Sequence, residues 1–508
     1  RNQLPLQVFL RYPNYRGMMF DDQSQTADFY AAIEAPDGCV VSDFQLKGTV
    51  VDESSGVEVL QQTFPAAETM TAGFDFSELP GQHSYLVSFE LDRFDGGASY
   101  SYPAYRIVKA PGSVRGSMPV TFDQQNRFLL HGKPSFLLGV YDSGMGYASS
   151  EDGWITTFTT NRRLFELPIN FYLNYWYGGA ANSSIIPMMN VLGQRGIYSL
   201  TNANCSGNTT VDQGGAPWFM NGPDAVIRQR AAQPAFGGFY VADECAPELV
   251  SNVFGHYQTM KSLAPGSIAL GVLLPDANVP LWRDAVDVLA TDPYPLRGVE
   301  PAGGYPYAMV ADAAVRARGA VMDSRPVVTV IQFYRSTVSS RWPTRAELRS
   351  MSFGAVTGGA NGLFYWSLGA GALAYICDGS DAAHSPSGSA SWCQAKTDHF
   401  EDLKAVLTEL KGLEAVLTLP DRPDLLRGNA NAAIRTRVKA DGTAAWLIAY
   451  NATNSTQNVS LQLAAPLDAV QAVQRSESLV LQAGELRDTL DPWDARVYRL
   501  RVGGARPK

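Results

Sequence analysis

Two adjacent carboxylates, Asp243 and Glu244, end the apolar run Phe239-Tyr240-Val241-Ala242, and Gly237-Gly238 precede it. Carboxyl groups side by side repel when both are charged, so one can keep a proton while the other stays ionised. That is the equipment of general acid–base chemistry. The run reads as a short buried strand, and Ala246-Pro247-Glu248-Leu249 reads as a helix start with Pro in its first turn. Acids between a strand and the helix after it lie at the carboxyl end of a parallel strand, where α/β barrels hold their chemistry. The purely structural alternative is a helix N-terminus stabilised by negative charge.

The chain around this pair alternates apolar runs with helical stretches from about 120 to 417. Eight strands are predicted, at 136–141, 169–175, 197–201, 238–243, 268–274, 286–292, 326–332 and 362–366. Most are near-continuous apolar runs, as parallel strands covered on both faces must be. Helices are predicted at 246–263, 305–320, 343–356 and 398–416. Eight such units predict an α/β fold, a (β/α)8 barrel over 116–417. A doubly wound sheet would call for a Gly-rich phosphate turn after its first strand, and Leu138-Gly139-Val140-Tyr141-Asp142-Ser143 is none. Period-two patterns and hairpin signals predict an N-terminal β-sandwich over 1–115 and a C-terminal β-sandwich over 418–508.

The predicted strand ends carry one kind of chemistry. They present Tyr141 and Asp142, Asn174 and Trp176, Asn202, Asp243 and Glu244, Asp292 and Tyr294, Gln332 and Tyr334, and Trp366. Aromatic faces stack on the apolar side of a pyranose, while carboxylates and amides bind its hydroxyls. Cleaving a glycosidic bond needs an acid for the leaving oxygen and an anion or base across the ring. Glu244 is the candidate acid, with Asp292 or Asp243 as the second carboxylate. The two prolines of Asp292-Pro293-Tyr294-Pro295 also permit a plain rigid turn.

Other function classes lack their residues. Only five histidines occur and none ends a predicted strand, which argues against a His-ligated metal or a Ser-His-Asp hydrolase. No phosphate or dinucleotide loop is visible, so no cofactor is expected. A net charge of −9 without long runs argues against nucleic acid. No apolar run is long enough for a membrane span. Cys377 and Cys393 bracket a Gly/Ser/Ala-rich loop and suggest one disulfide; Cys205 and Cys245 follow neighbouring strands and suggest a second, leaving Cys39 over. Sequons occur at Asn182, Asn204, Asn208, Asn451, Asn454 and Asn458. Together with a chain that begins at Arg1, these features favour a secreted or periplasmic glycoprotein. Oligomeric state is not legible.

On these residues the stretch 120–417 resembles the clan A glycoside hydrolases, (β/α)8 enzymes that act on oligo- or polysaccharides. The resemblance implies that Glu244 stands at the acid/base position ending strand four, where Asp243 replaces the clan's usual Asn. The clan's nucleophile is a Glu ending strand seven, and the strand Val327-Val328-Thr329-Val330-Ile331 runs instead into Gln332. Three readings follow. Asp292 acts opposite Glu244; or the Asp243-Glu244 pair, similar to that of β-N-acetylhexosaminidases, uses the substrate's acetamido group with Tyr294 or Tyr334 as its partner; or the barrel binds carbohydrate without cleaving it.

Overall fold

The computed structural model describes residues 5–502 except 143–147, 175–181, 207–223, 275–276, 303, 335–340, 369–389, 443, 465–466, 474–476, 480 and 482–483. Eight parallel strands close into a barrel in sequence order. They are β1 (Leu137–Asp142), β2 (Phe171–Asn174), β3 (Tyr198–Ser206), β4 (Phe236–Asp243), β5 (Ile268–Leu273), β6 (Val288–Thr291), β7 (Val327–Gln332) and β8 (Gly362–Trp366). All eight predicted strands are present, because each buried run has only a sheet covered on both faces in which to lie. The barrel interior is filled by Leu173, Leu200, Leu270, Val288, Val330 and Phe364 among others. Phe364 fits only because β1 offers Gly139: a Cβ there would stand 2.3 Å from its ring.

The helices behind the strands pack on the outer face. The helix Val250–Leu263 follows a 3-10 turn, Pro247–Leu249, with Pro at its first position. The helix Arg345–Gly358 begins on Thr344, whose hydroxyl accepts from the Glu347 backbone while the Glu347 carboxylate accepts from the Thr344 N–H. Its end is set by Gly359 at φ 109.

Sheets flank the barrel on both sides in sequence. N-terminally, a three-stranded and a five-stranded sheet share one apolar cluster that includes Phe29, Phe74, Val87 and Phe89. A hairpin pairs Phe44–Asp52 with Glu58–Pro65. C-terminally, another three-stranded and five-stranded pair shares Leu447, Leu461, Leu486 and Tyr498. There Ile434–Ala440 pairs with Ala444–Asn451. A small three-stranded sheet built from Val120–Phe122, Phe128–Leu130 and Lys133–Pro134 precedes β1, which the periodicity did not predict. Its strands are too short to carry a pattern, and its Val120, Phe122 and Phe128 join the barrel's interior cluster.

The N-terminal region is tied to the foot of the barrel by one buried ion pair. Arg16, in the left-handed conformation at φ 52, donates through Nε to Asp287 Oδ2 at 3.0 Å. Both side chains are 1% exposed. Asp287, just before β6, also accepts from Tyr257 Oη at 2.7 Å and from the Ala269 N–H at 2.8 Å. Removing one member of a buried pair strands the other charge. Arg16→Ala is therefore expected to lower unfolding stability by about 3 kcal/mol in urea titrations. A loss below about 1 kcal/mol, the range of exposed pairs, would show that the tie is dispensable.

Candidate active site

Strand β4 reaches its acids through irregular backbone. Its register with β5 shifts between Tyr240 and Ala242, and its register with β3 shifts between Asn202 and Cys205. Such bulges re-aim side chains at strand ends. Glu244 follows at φ 49, the left-handed region, while its N–H still bonds the Val272 carbonyl of β5 at 2.9 Å. A non-glycine residue in that region costs on the order of 1–3 kcal/mol and persists only where its surroundings impose it. Here the ladder bond to β5 holds the N–H of Glu244 itself, and Pro247 opens the next turn.

A cavity of about 420 Å³ lies over this end of the barrel. Its walls are Tyr141, Tyr240, Asp243, Glu244, Val272, Asp292, Tyr294, Arg297, Gly298, Tyr334 and Trp366. Seven of these are sequence-predicted site residues, contributed by β1, β4, β6, β7, β8 and the segments that follow. The Trp366 ring meets Tyr141 edge-on at 5.1 Å between centroids, and Tyr294 meets Tyr334 in the same way at 5.2 Å. Tyr240 Oη donates to Asp243 Oδ1 at 2.6 Å, which fixes that carboxylate.

Asp292 is 5% exposed, and its pKa stands well above the ordinary carboxylate value. Burial is the main cause; the Glu244 charge, a hydrogen bond to Glu244 and the Asp243 charge add to it. The Asp292 carboxyl therefore favours its protonated form, within hydrogen-bonding reach of Glu244. Its Oδ1 is buried and has no hydrogen-bond partner among the described residues. Burial also pushes the Tyr334 phenol up to about 12, the nearby Arg297 opposing and the two carboxylates adding.

Three predicted site residues brace the cavity instead of lining it. Asp142 is buried in an ion pair with Arg162 Nε, at 3.0 Å to Oδ2, and accepts from Tyr172 Oη at 2.9 Å. Asn174 Nδ2 donates to Tyr172 Oη at 3.4 Å. Gln332 is fully buried: its Nε2 donates to the Leu296 carbonyl at 3.0 Å and its Oε1 accepts from the Leu296 N–H at 2.9 Å. The strand-seven amide therefore clamps the segment that carries Asp292 and Tyr294. An amide can both donate and accept here, which an ionised Glu cannot.

Trp176, Asn208 and Cys377 lie outside the described residues, as do the side chains of Asn202, Asn204, Cys205 and Cys393. Cys39 is a free thiol, as expected, and Cys245 is buried. One sequon must be corrected. Asn451 is fully buried, its amide donating to the carbonyls of Ser455, Leu490 and Asp491, so the folded chain leaves no room for a glycan there. The Asn182 amide donates to Gln229 Oε1 at 2.8 Å, and its carbonyl accepts from Arg230 Nε at 2.7 Å; Asn454 and Asn458 are exposed.

Sequence reasoning missed Tyr240, Val272, Arg297 and Gly298. Tyr240 had a signal, since it precedes Asp243 on the same strand. Arg297 follows Pro295 by two residues in a segment read only as far as that proline. Among the described residues no cluster of three or more His, Cys, Asp or Glu could hold a metal ion, and no helix is long and apolar enough to cross a membrane.

No family model matches the chain, and no curated protein matches it either. Solved structures do. A glycoside hydrolase family 5 protein from Bacteroides vulgatus superposes with a TM-score of 0.55 at 12% identity, covering 77% of this chain and 95% of that one. A second structure described as a glycoside hydrolase gives 0.52 at 11% identity, covering 77% and 98%. At such identities the likeness is one of fold. The chain folds around a closed eight-stranded parallel barrel of the kind found in solved glycoside hydrolases.

Proposed function

We propose that the protein is a glycoside hydrolase that cleaves O-glycosidic bonds, with Glu244 and Asp292 as its working carboxyl pair. The observation that carries this reading is their meeting. Two acids 48 positions apart in the chain come within hydrogen-bonding reach in a cavity walled by Tyr141, Tyr294, Tyr334 and Trp366. Between them they hold one proton and one negative charge, which is what the reaction requires.

In the first step Glu244 gives the proton to the leaving oxygen as the bond from the anomeric carbon to that oxygen breaks. The unpartnered Oδ1 of Asp292 supplies the electron pair that forms the new bond on the opposite face. Water, losing its proton to Glu244, then releases the sugar and restores Asp292. Sugar binding must first separate the two carboxyl groups and move the proton to Glu244. Carboxyls about 5 Å apart suit this double displacement, whereas inversion needs roughly 6.5–9.5 Å to admit a water. A pair already in contact is closer to the first.

A second reading has its own support. Asp243 lines the cavity with its orientation set by Tyr240, as an acetamido-orienting carboxylate would need. Aryl glycosides of 2-hydroxy and 2-acetamido sugars, assayed side by side, separate the two. Cleavage of 2-hydroxy sugars with retention at the anomeric carbon by NMR is the expected result. Cleavage of 2-acetamido sugars alone would transfer the second role from Asp292 to Asp243. Oligosaccharide binding in calorimetry with no cleavage of any substrate would mean a carbohydrate-binding barrel. A location outside the cytoplasm goes with this proposal, as does a Cys205–Cys245 bridge between the ends of adjacent strands.

A further inference from the structure

The cavity over the barrel carries a cation among its acids. Arg297 stands in its wall with Gly298, Tyr294 and Tyr334, while Asp243, Glu244 and Asp292 supply the carboxyls. We infer that Arg297 binds an acidic group on the sugar, so that the substrate is a glycoside whose ring carries a carboxylate or a sulfate. The inference rests on the glycosidase reading above and names the substrate class of that same site.

The backbone under Arg297 is held on both sides. The Gln332 amide grips the N–H and the carbonyl of Leu296, the residue before it. On the other side the buried Tyr305 donates through Oη to the Gly298 carbonyl at 2.9 Å, and Gly298 turns the chain at φ 70. The Arg297 N–H itself bonds the Pro295 carbonyl at 2.9 Å. A side chain presented from fixed backbone loses less freedom when a ligand takes it up.

The fold does not use the charge. Among the described residues Arg297 has no carboxylate partner. Glu300, the next acid along the chain, is taken by Arg341 at 3.0 Å. The guanidinium lies over the Tyr294 ring at 5.7 Å from its centre, which helps to keep it at the cavity. It acts on the Tyr334 phenol more strongly than either Asp292 or Glu244 does. Asp292, by contrast, answers mainly to burial, Glu244 and Asp243. The cavity is therefore polarised, positive beside Tyr334 and negative at the acids. A planar fork of N–H donors matches an oxyanion. Repulsion from Asp243 and Glu244 would keep that anion away from the reacting end, so one charge both attracts the sugar and sets its orientation.

The test compares aryl glucosides and galactosides with the matching uronides and 6-O-sulfates, in both anomeric forms. The ratio of kcat/KM for the acidic over the neutral member is expected to be about 10 or more, and Arg297→Gln is expected to lower that ratio by about 10- to 100-fold. Arg297→Lys, which keeps the charge and loses the fork, should fall between. Because Arg297 is exposed, raising the salt to about 1 M, where screening acts over about 3 Å, should erode the wild-type preference. Preference for the uronides identifies a ring carboxylate, and preference for the sulfates alone a sulfate ester. A ratio near unity, or equal losses on acidic and neutral glycosides in Arg297→Gln, would overturn the anion site while leaving a working glycosidase. Calorimetry with glucuronate and galacturonate against glucose and galactose reads the opposite failure. Tighter binding of the acids that Arg297→Gln abolishes, with no glycoside cleaved, would keep the anion site and overturn the glycosidase reading. No cleavage and no preference in binding would overturn both.

Discussion

Glu244→Gln is expected to lower kcat/KM on an alkyl glycoside by about 10²–10⁴-fold, the range for loss of a general acid. Glutamine matches the shape of the side chain and accepts the same backbone angle, but it has no proton to give an alkoxide. The loss should shrink for aryl glycosides with acidic phenols, which depart without protonation. That dependence on the leaving group separates a proton donor from a residue that merely holds the cavity open. Thermal unfolding should change little, because the strain at φ 49 and the bond to Val272 are backbone properties that the substitution keeps. Equal losses on both substrate types would argue that Glu244 positions the sugar instead.

Asp292→Asn is expected to cost on the order of 10³-fold or more in kcat, because the amide cannot bond the anomeric carbon. It should also make the protein more stable, and the sign can be worked out. Burial and the Glu244 charge raise the Asp292 pKa in the folded state. From about pH 4, where the unfolded carboxyl titrates, the folded chain binds the extra proton and its stability falls as pH rises. Asparagine removes this penalty and still donates a hydrogen bond to Glu244. The melting temperature of the variant should therefore match wild type near pH 3.5 and exceed it increasingly toward pH 8. A variant less stable than wild type at pH 8 would contradict the buried-proton picture. If the substrate's acetamido group is the nucleophile, the activity loss becomes mild while the stability gain remains, so the two readouts are independent.

The two variants act on one coupled pair, so their effects should not add. With either carboxyl gone, the other has no partner with which to share the proton. Strained backbone at Glu244 and a buried carboxyl with one unpartnered oxygen at Asp292 both cost stability at this end of the barrel. Gln332 holds the Leu296 backbone, four residues after Asp292, and so limits how far that segment can relax toward solvent.

The sequence by itself determined the eight strands and the barrel, because runs such as Val327–Gln332 are too apolar and too short to lie anywhere but in a sheet covered on both faces. It also determined which end of the barrel carries the acids and aromatics, since strand direction follows chain order in a parallel sheet. Seven of the cavity-lining residues were legible for that reason. Only the tertiary structure decided which strand-end residues meet. Asp142 and Gln332 stood at strand ends as plausibly as Asp292, but Arg162 and the Leu296 backbone occupy them. The small sheet from Val120 to Pro134 and the left-handed backbone of Glu244 were likewise invisible, one for want of length and the other because it is imposed by the β5 ladder and not by a glycine. Strand position is a local property written in periodicity. Which carboxyls meet depends on distances across the barrel that periodicity does not encode.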